Sequence, residues 1–527
     1  MNKLSIDSKN LFDSGHKLIK ALCAESAYDH KIESVRIVET HISWVLLTGQ
    51  YAYKIKKPVS FGFLDFSTLE KRRFFCAEEI RLNRRLAADI YLEVVPITGT
   101  PDDPKIGGAA NVIEYAVKMT QFSAGRLLSE RAECRELGTD EIEQIARVVA
   151  DFHEAIERTN DDSPYGDALD IKHWFDENFD QIEPLLEENH YIKQLRVIQN
   201  WGDDEWSNKS SLMQLRKQQG HVRECHGDLH LNNITCIDGR VMLFDCIEFN
   251  PMLRWIDVIS EVAFLMIDLM YFGYQGHAFR FLNQYLQYTG DYHGLSLLRY
   301  YLVYRALVLG KVSLLRMQQC QGSGYRLAHS RFSTFMNLAE RYTRKDQVVL
   351  MVTHGYSGSG KSTFARHCSE SIGALHLRSD IERKRLFGFK ALDNTDSDID
   401  QGIYTEEAGM KTYQHLANMV KPILNAGFSV IIDAAFLKIW QRDMFRQIAT
   451  ELTVQFLILD FTATDEELAV RIRKRKNDAS EASLEVLQQQ RNSAQPLSQE
   501  ELTYTKTVDT MQGNALDTWL EWFRKKS

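Results

Sequence analysis

The stretch "HGYSGSGKST", residues 354–363, sets Gly355, Gly360, Lys361 and Ser362 at the G-x-x-x-x-G-K-[ST] spacing. Glycines at those positions let backbone N–H groups face an anion, and the N-terminus of a following helix adds partial positive charge. The loop residues Gly355, Ser357, Gly358, Ser359, Gly360 and Thr363 are therefore candidate phosphate contacts. The Lys361 ammonium would reach the β- and γ-phosphates of a nucleotide, and the Ser362 hydroxyl would ligate Mg2+.

A second stretch far upstream has different chemistry. "HGDLHLNN" puts Asp228 two residues after His226 and Asn233 five after Asp228, and "MLFDC" supplies Asp245 twelve residues further on. An Asp facing an acceptor hydroxyl, an Asn five residues on and a second metal-binding Asp at a strand end resemble the catalytic loop of protein-kinase-like enzymes. That arrangement also asks for a strand lysine gripping phosphates and a helix Glu holding the lysine. "YAYKIKK" offers Lys54, with Lys56 on the same strand face, and "CAEEIRLN" offers Glu79, with Glu78 beside it.

Three more features follow the glycine loop. "RSDIERKR" places Asp380 past a strand end and Arg383 three residues later, a carboxylate able to take a hydroxyl proton beside a cation able to hold the substrate. "FSVIIDAAF" ends its apolar run at Asp433, a candidate for the magnesium side of the site, with Asp460 at another strand end as its rival. "ELAVRIRKRKNDAS" sets Arg471 and Arg475 one helical turn apart, a pair suited to a lid over the phosphates.

The elements that must position these residues divide the chain. "SVRIVET", "SWVLLTG", "YAYKIKK", "EVVPITG" and "VIEYAVKM" read as strands, with a helix over "LEKRRFFCAEEIRLNRRLA" between them. Residues 140–220 and 256–340 read as mostly helical, and Asp238-Gly239 is a hairpin turn between two short apolar runs. After the polar "ERYTRKDQ", residues 340–347, strands and helices alternate. The near-continuous apolar runs "VVLMVT", "FSVIID" and "VQFLILD" fit strands covered on both faces of a parallel sheet. The expected fold is an α+β two-lobed protein-kinase-like domain over 1–343, followed by an α/β P-loop domain with a mainly parallel sheet over 344–527.

Composition narrows the classes. A chain of 527 residues with 44% hydrophobic and 26% charged residues is ordinary globular protein of more than one domain. The net charge of −9 gives no global pull toward nucleic acid or anionic membrane. The eight cysteines form no C-x-x-C, which points to free thiols in a reducing cytoplasm rather than a zinc site or disulfide frame. "MNKLSIDSKNLF" carries charge where a secretory segment would be apolar, and "IDVISEVAFLMIDLMYFGY" contains Asp257, Glu261 and Asp268, too many carboxylates for a bilayer span.

"GYSGSGKST", "SDIER", "IIDAAF" and "RIRKR" occur in the order found in small P-loop kinases, so residues 348–510 resemble the group that includes phage-type polynucleotide kinases, zeta toxins and gluconate-type kinases. Roughly residues 30–340 resemble the aminoglycoside phosphotransferase family, and the whole is similar to bacterial fusions of the two. Departures are visible: "THISWVLLTGQYAY" lacks a glycine-rich loop, Leu231-Asn232 stands where Pro-Gly is usual, and Glu248 follows Asp245 closely as an extra candidate metal or substrate ligand. The resemblance implies ATP- and Mg2+-dependent transfer of the γ-phosphoryl group to hydroxyl acceptors at two sites, with Asp228 and Asp380 as bases and small molecules as substrates. Two other expectations remain open at this stage. One is a nucleic-acid end kinase or toxin-like kinase in the C-terminal domain; the other is a P-loop kinase or ATPase regulated by a non-catalytic N-terminal domain.

Overall fold

The computed structural model describes residues 15–526 apart from 33, 63, 110, 124, 161, 392, 394–401, 475–479, 481 and 482. The opening segment "MNKLSIDSKNLF" and Arg475 therefore lie outside the described residues. Two compact units partition the chain: Met1–Glu141 with Asp151–Ile171 and Ser211–Leu265, and Ile142–Ala150 with Lys172–Ser210 and Met266–Ser527. The second takes in the helices Gln275–Thr289, Leu295–Met317 and Ser323–Thr343 together with everything after them.

The first unit is built on a six-stranded antiparallel sheet. Its strands are β1 (Arg36–Glu39), β2 (Ser43–Leu47), β3 (Tyr51–Lys56), β6 (Tyr91–Thr100), β7 (Asp103–Ile106) and β8 (Val112–Thr120), in the order β1-β2-β3-β8-β6-β7. A small hairpin of β4 (Ser60–Phe61) and β5 (Leu64–Asp65) interrupts the sequence after β3. Side chains alternate across β3. Tyr53 and Ile55 pack with Trp44, Leu46 and Leu22 on one face, whereas Ala52 packs with Val117 and Tyr91 on the other. Period two then puts Lys54 and Lys56 on the Ala52 face, which the helix Leu69–Ala87 covers through Cys76, Ile80 and Ala87. Thr68 caps that helix by accepting from the Lys71 N–H at 3.2 Å.

Two further short pairs complete this unit. β9 (Val222–Glu224) pairs with β12 (Trp255–Asp257), and β10 (Ile234–Ile237) pairs with β11 (Arg240–Leu243). The two-residue loop of the latter hairpin needs positive φ at both positions, and Asp238 and Gly239 supply 51° and 75°.

In the second unit, β13 (Val349–His354), β14 (Leu375–Arg378), β15 (Val430–Asp433), β16 (Gln455–Thr462) and β17 (Thr505–Asp509) form a parallel sheet in the order β14-β15-β13-β16-β17. Met351, Ile431 and Leu459 on the sheet pack with Phe364 and Trp519 from helices. The helix Lys361–Ile372 opens directly on the glycine loop and stops at Gly373, whose φ of 70° is the left-handed cap conformation. Pro422 sits in the last turn of the helix Glu406–Asn425 without ending it. β17 went unread in the sequence because "TKTVD" has no apolar run; as an edge strand it buries only Val508. Among the described residues no helix is long and apolar enough to cross a membrane.

Candidate active sites

In the first unit the structure brings Lys54, Glu79 and Asp245 together. Lys54 Nζ lies 2.8 Å from Glu79 Oε1 and 2.5 Å from Asp245 Oδ1. Lys56, one alternation along β3, reaches Glu79 Oε2 at 2.7 Å and also pairs with Glu248. The side chains of Lys56 and Glu79 are both 0% exposed, so Glu79 is a buried carboxylate shared by two ammonium groups. Burial pushes its pKa up, but the two lysines outweigh burial and hold it at about 2. Glu78 faces the other way, toward Arg81 at 2.9 Å and Arg254 at 3.8 Å. Glu248 is taken up by Lys56 in the interior rather than standing in a solvent-facing cleft.

Asp228 and Asn233 also meet: Asn233 Nδ2 donates to Asp228 O and to Asp228 Oδ2, each at 3.0 Å. His230 Nε2 stands 3.2 Å from the same carboxylate. Backbone bonds tie this loop to the Asp245 segment, with Phe244 N–H donating to Asn233 O at 2.9 Å and Ile247 N–H to His226 O at 3.0 Å. The His226 ring locks the turn. Its Nδ1 accepts from the Asp228 N–H at 3.2 Å, which leaves the proton on Nε2 to donate to Phe244 O at 2.8 Å. Gly227, at φ 87°, passes so close to Leu253 O that a Cβ would sit 2.9 Å from it.

Several residues of this site were not singled out from the sequence. Asn83 Oδ1 accepts from the Cys246 N–H at 2.9 Å while its Nδ2 donates to Glu79 O at 2.9 Å, joining the segment after Asp245 to the Glu79 helix. Tyr91 Oη accepts from the Asp245 N–H at 3.1 Å, steadying a residue held at φ 64°. Glu261 accepts from the Gly227 N–H at 2.7 Å and meets His153 Nε2 at 2.8 Å. The i,i+4 relation of Asn83 to Glu79 was the available signal; Tyr91 and Glu261 had none at the level of local spacing.

The second unit gathers its candidates at the carboxyl ends of neighbouring parallel strands, the edge where α/β sheets bind ligands. β13 runs into the glycine loop, and Gly355 N–H donates to Ala435 O at 3.1 Å. Gly358, at φ 84°, leaves a gap that a Cβ would close against Leu468 O at 2.7 Å. Lys361 Nζ rests on Tyr356 O at 2.7 Å. The Ser357 N–H and hydroxyl are bracketed by the Gln490 amide at 2.9 Å and 3.0 Å.

Asp433 lies 3.3 Å from His376 Nε2 and 3.7 Å from Arg378 Nε, with the Ser362 side chain close enough to help hold its negative charge. Burial raises its pKa, and these partners overcome that and hold it at about 2. Asp460, the alternative, is engaged by His354 Nδ1 at 2.7 Å. Asp380 and Arg383 face one another at 3.8 Å on the short helix Ser379–Leu386, with Arg383 also over the Tyr404 ring. Arg471 donates to Thr510 Oγ1 at 2.8 Å, and that hydroxyl donates to Ser359 O at 2.9 Å, so the guanidinium lies beside the end of the loop. Ser359, Gly360 and Thr363 complete the loop and the first turn of its helix.

Residues 350–497 match the family model AAA_33, described as an AAA domain. That stretch holds the glycine loop and the strands β14, β15 and β16 of the parallel sheet. Uncharacterized proteins of Mycobacterium tuberculosis and Mycobacterium bovis are each 29% identical over 452 residues, covering 86% of this chain and 88% of their own. Among solved structures, an ethanolamine kinase of Plasmodium vivax aligns with 59% of this chain and 84% of its own at 11% identity and a TM-score of 0.36. A choline kinase of Cryptosporidium parvum aligns with 62% and 96% at 11% identity and a TM-score of 0.39. A gluconokinase of Sinorhizobium meliloti aligns with 35% and 99% at 20% identity and a TM-score of 0.24.

Proposed function

We propose that the chain is a cytoplasmic, ATP- and Mg2+-dependent phosphotransferase with two kinase-type sites, each passing the γ-phosphoryl group to a hydroxyl of a small molecule. On this reading residues 1–343 form the aminoglycoside-phosphotransferase-like domain and 344–527 the P-loop kinase domain. What supports it is that each site sets a lysine near residues able to offer oxygen ligands. Lys54 pairs with Asp245, whose neighbour Phe244 is bonded to Asn233, and Lys361 heads the helix whose Ser362 lies near Asp433. Carboxylate, amide and hydroxyl oxygens with no thiolate or imidazole among them suit a hard divalent cation. When bound, Mg2+ would neutralise charge on the phosphates.

The residues of the chain do the rest. Lys54, held in line by Glu79, and Lys361, at the head of its helix, orient the triphosphate. Asp228 and Asp380 accept the acceptor's hydroxyl proton, and Arg383 sits on the acceptor side. Arg471 lies over the loop end and would help to exclude water. The test is an untargeted metabolite screen for the gain of one phosphate, run with the wild type, Asp228→Asn and Lys361→Ala. Two product sets, one lost in each variant, are expected. ATP consumption with no phosphorylated product from any library would sink the two-site reading in favour of an ATPase or regulator.

A further inference from the structure

β14 is an edge strand, and an edge presents alternate N–H and C=O groups with no neighbour to pair them. Leu375 N–H points inward, to Ser429 O at 2.8 Å, so the outward groups are those of Ala374 and His376. One side chain takes both. Asn283 Nδ2 donates to Ala374 O at 3.1 Å, and His376 N–H donates to Asn283 Oδ1 at 2.9 Å. Bonding the C=O before a residue and the N–H after it is how a parallel neighbour strand pairs, so the Asn283 amide stands in for the missing strand. The reversed amide would set donor against donor and acceptor against acceptor, which fixes its orientation.

Asn283 is 5% exposed, on the helix Gln275–Thr289, and its neighbours on the same face also grip the P-loop layer. Arg280 pairs with Glu370 at 3.0 Å, and Gln287 O accepts from Arg385 at 2.5 Å. Phe279 packs so tightly on Gly373 that a Cβ there would lie 3.0 Å from its ring. The spacing 280, 283, 287 is one stripe of a helix. This stripe comes from sequence upstream of residue 344, before the P-loop domain begins.

We propose that Asn283 is a positioning residue of the P-loop site: by closing the edge of β14 it fixes His376, which directs Nε2–H at Asp433 and orients that carboxylate toward Ser362. The inference rests on the reading of Ser362 and Asp433 as the magnesium side of that site. It makes an upstream helix an integral part of the C-terminal catalytic apparatus rather than a passive neighbour.

The test uses the full-length chain. Amide hydrogen exchange is followed over residues 374–378 and 429–433, and Mg2+ half-saturation is measured for the Lys361-dependent binding of a fluorescent ATP analogue. Asn283→Ala speeds exchange at 374–378 and raises the Mg2+ half-saturation about tenfold, the size typical of losing a group that orients a metal ligand. Asn283→Asp keeps the acceptor for His376 N–H but loses the donor to Ala374 O, and falls between wild type and Asn283→Ala. His376→Leu raises the Mg2+ half-saturation without changing exchange, and His376→Gln, which retains a donor near the Nε2 position, restores it. Faster exchange with Mg2+ half-saturation unchanged within twofold would reduce Asn283 to a merely structural role and overturn the proposal, as would equal effects of His376→Leu and His376→Gln. Analogue binding indifferent to Lys361→Ala would instead overturn the P-loop reading, and the exchange data would still decide whether Asn283 holds the strand.

Discussion

The two lysines that would meet phosphate are held in opposite ways. Lys54 is buried between Glu79 and Asp245, at 2.8 Å and 2.5 Å, in a network that includes a second lysine and a second glutamate. Lys361 leans on a backbone carbonyl five residues before it, at 2.7 Å. The first site is assembled from side chains on separate elements, so its geometry depends on the packing of the whole unit. The phosphate loop of the second is mostly local backbone, with glycines at φ 142°, 84° and 87° turning it between the strand before it and the helix after it. A buried charge network makes function and stability inseparable; a backbone cradle leaves them separate.

The largest expected effects are on turnover and should be confined to one site each. Asp228→Asn should lower transfer at the first site by about 10²–10⁴-fold, the range for removing a general base. Lys361→Ala should abolish the other activity to a similar degree. Neither should move the melting temperature much, because the Asp228 side chain is 37% exposed and Lys361 Nζ rests on the Tyr356 carbonyl and lies 3.4 Å from the Ser359 hydroxyl, groups that water can satisfy in its place. Product assays and thermal melts on both variants would check this. Loss of both activities in either variant would mean that the sites are coupled.

Glu79→Ala breaks the comparison from the other side. Removing it leaves Lys54 and Lys56 buried with a carboxylate fewer between them, and stripping one partner from a buried ion network costs about 3–5 kcal/mol. Denaturant unfolding should therefore show a large loss of stability along with the loss of transfer at the first site. An unchanged unfolding midpoint would mean that the network does not contribute to stability.

Much of this contrast was legible in the sequence because short-range spacing encodes it. The glycine loop, the Asp228–Asn233 interval and the hairpin leading to Asp245 are each set by a few consecutive residues, and the strand runs around them are apolar enough to read. Pairing across long intervals was not legible. Lys54 and Lys56 lie on one strand face, so alternation alone left them equal; the structure gives both a share of Glu79 and only Lys54 the contact to Asp245. β17 was missed because an edge strand needs an apolar residue on one face only. The upstream helix stripe that includes Asn283 was invisible for a related reason: its polar residues look solvent-facing until the strand edge they satisfy is in place.

Asn83→Ala is a smaller perturbation of the same site. Its amide joins Glu79 O to the Cys246 N–H, so truncation leaves one buried donor and one buried acceptor without that partner. A cost of about 1–3 kcal/mol is expected for such groups. Transfer at the first site should fall more than stability alone explains, because the bond to Cys246 also fixes the residue after Asp245. Comparing turnover well below the melting transition for Asn83→Ala and Asn83→Asp would separate the two contributions.

The smallest effect is expected one residue from the largest. Glu78 and Glu79 are chemically identical neighbours on one helix, but a step of one residue rotates a side chain by 100°. Glu79 falls with Cys76 and Asn83 on the buried face, whereas Glu78 bonds Arg81, whose side chain is 47% exposed. An ion pair with one partner in solvent contributes about 0–1 kcal/mol. Glu78→Gln should therefore leave transfer at the first site within about twofold of wild type and lower stability by less than about 1 kcal/mol, while Glu79→Gln disables the site. Equal losses in the two variants, measured side by side, would mean that the helix sits in a different rotation about its axis, and the Lys54–Glu79–Asp245 network would go with it.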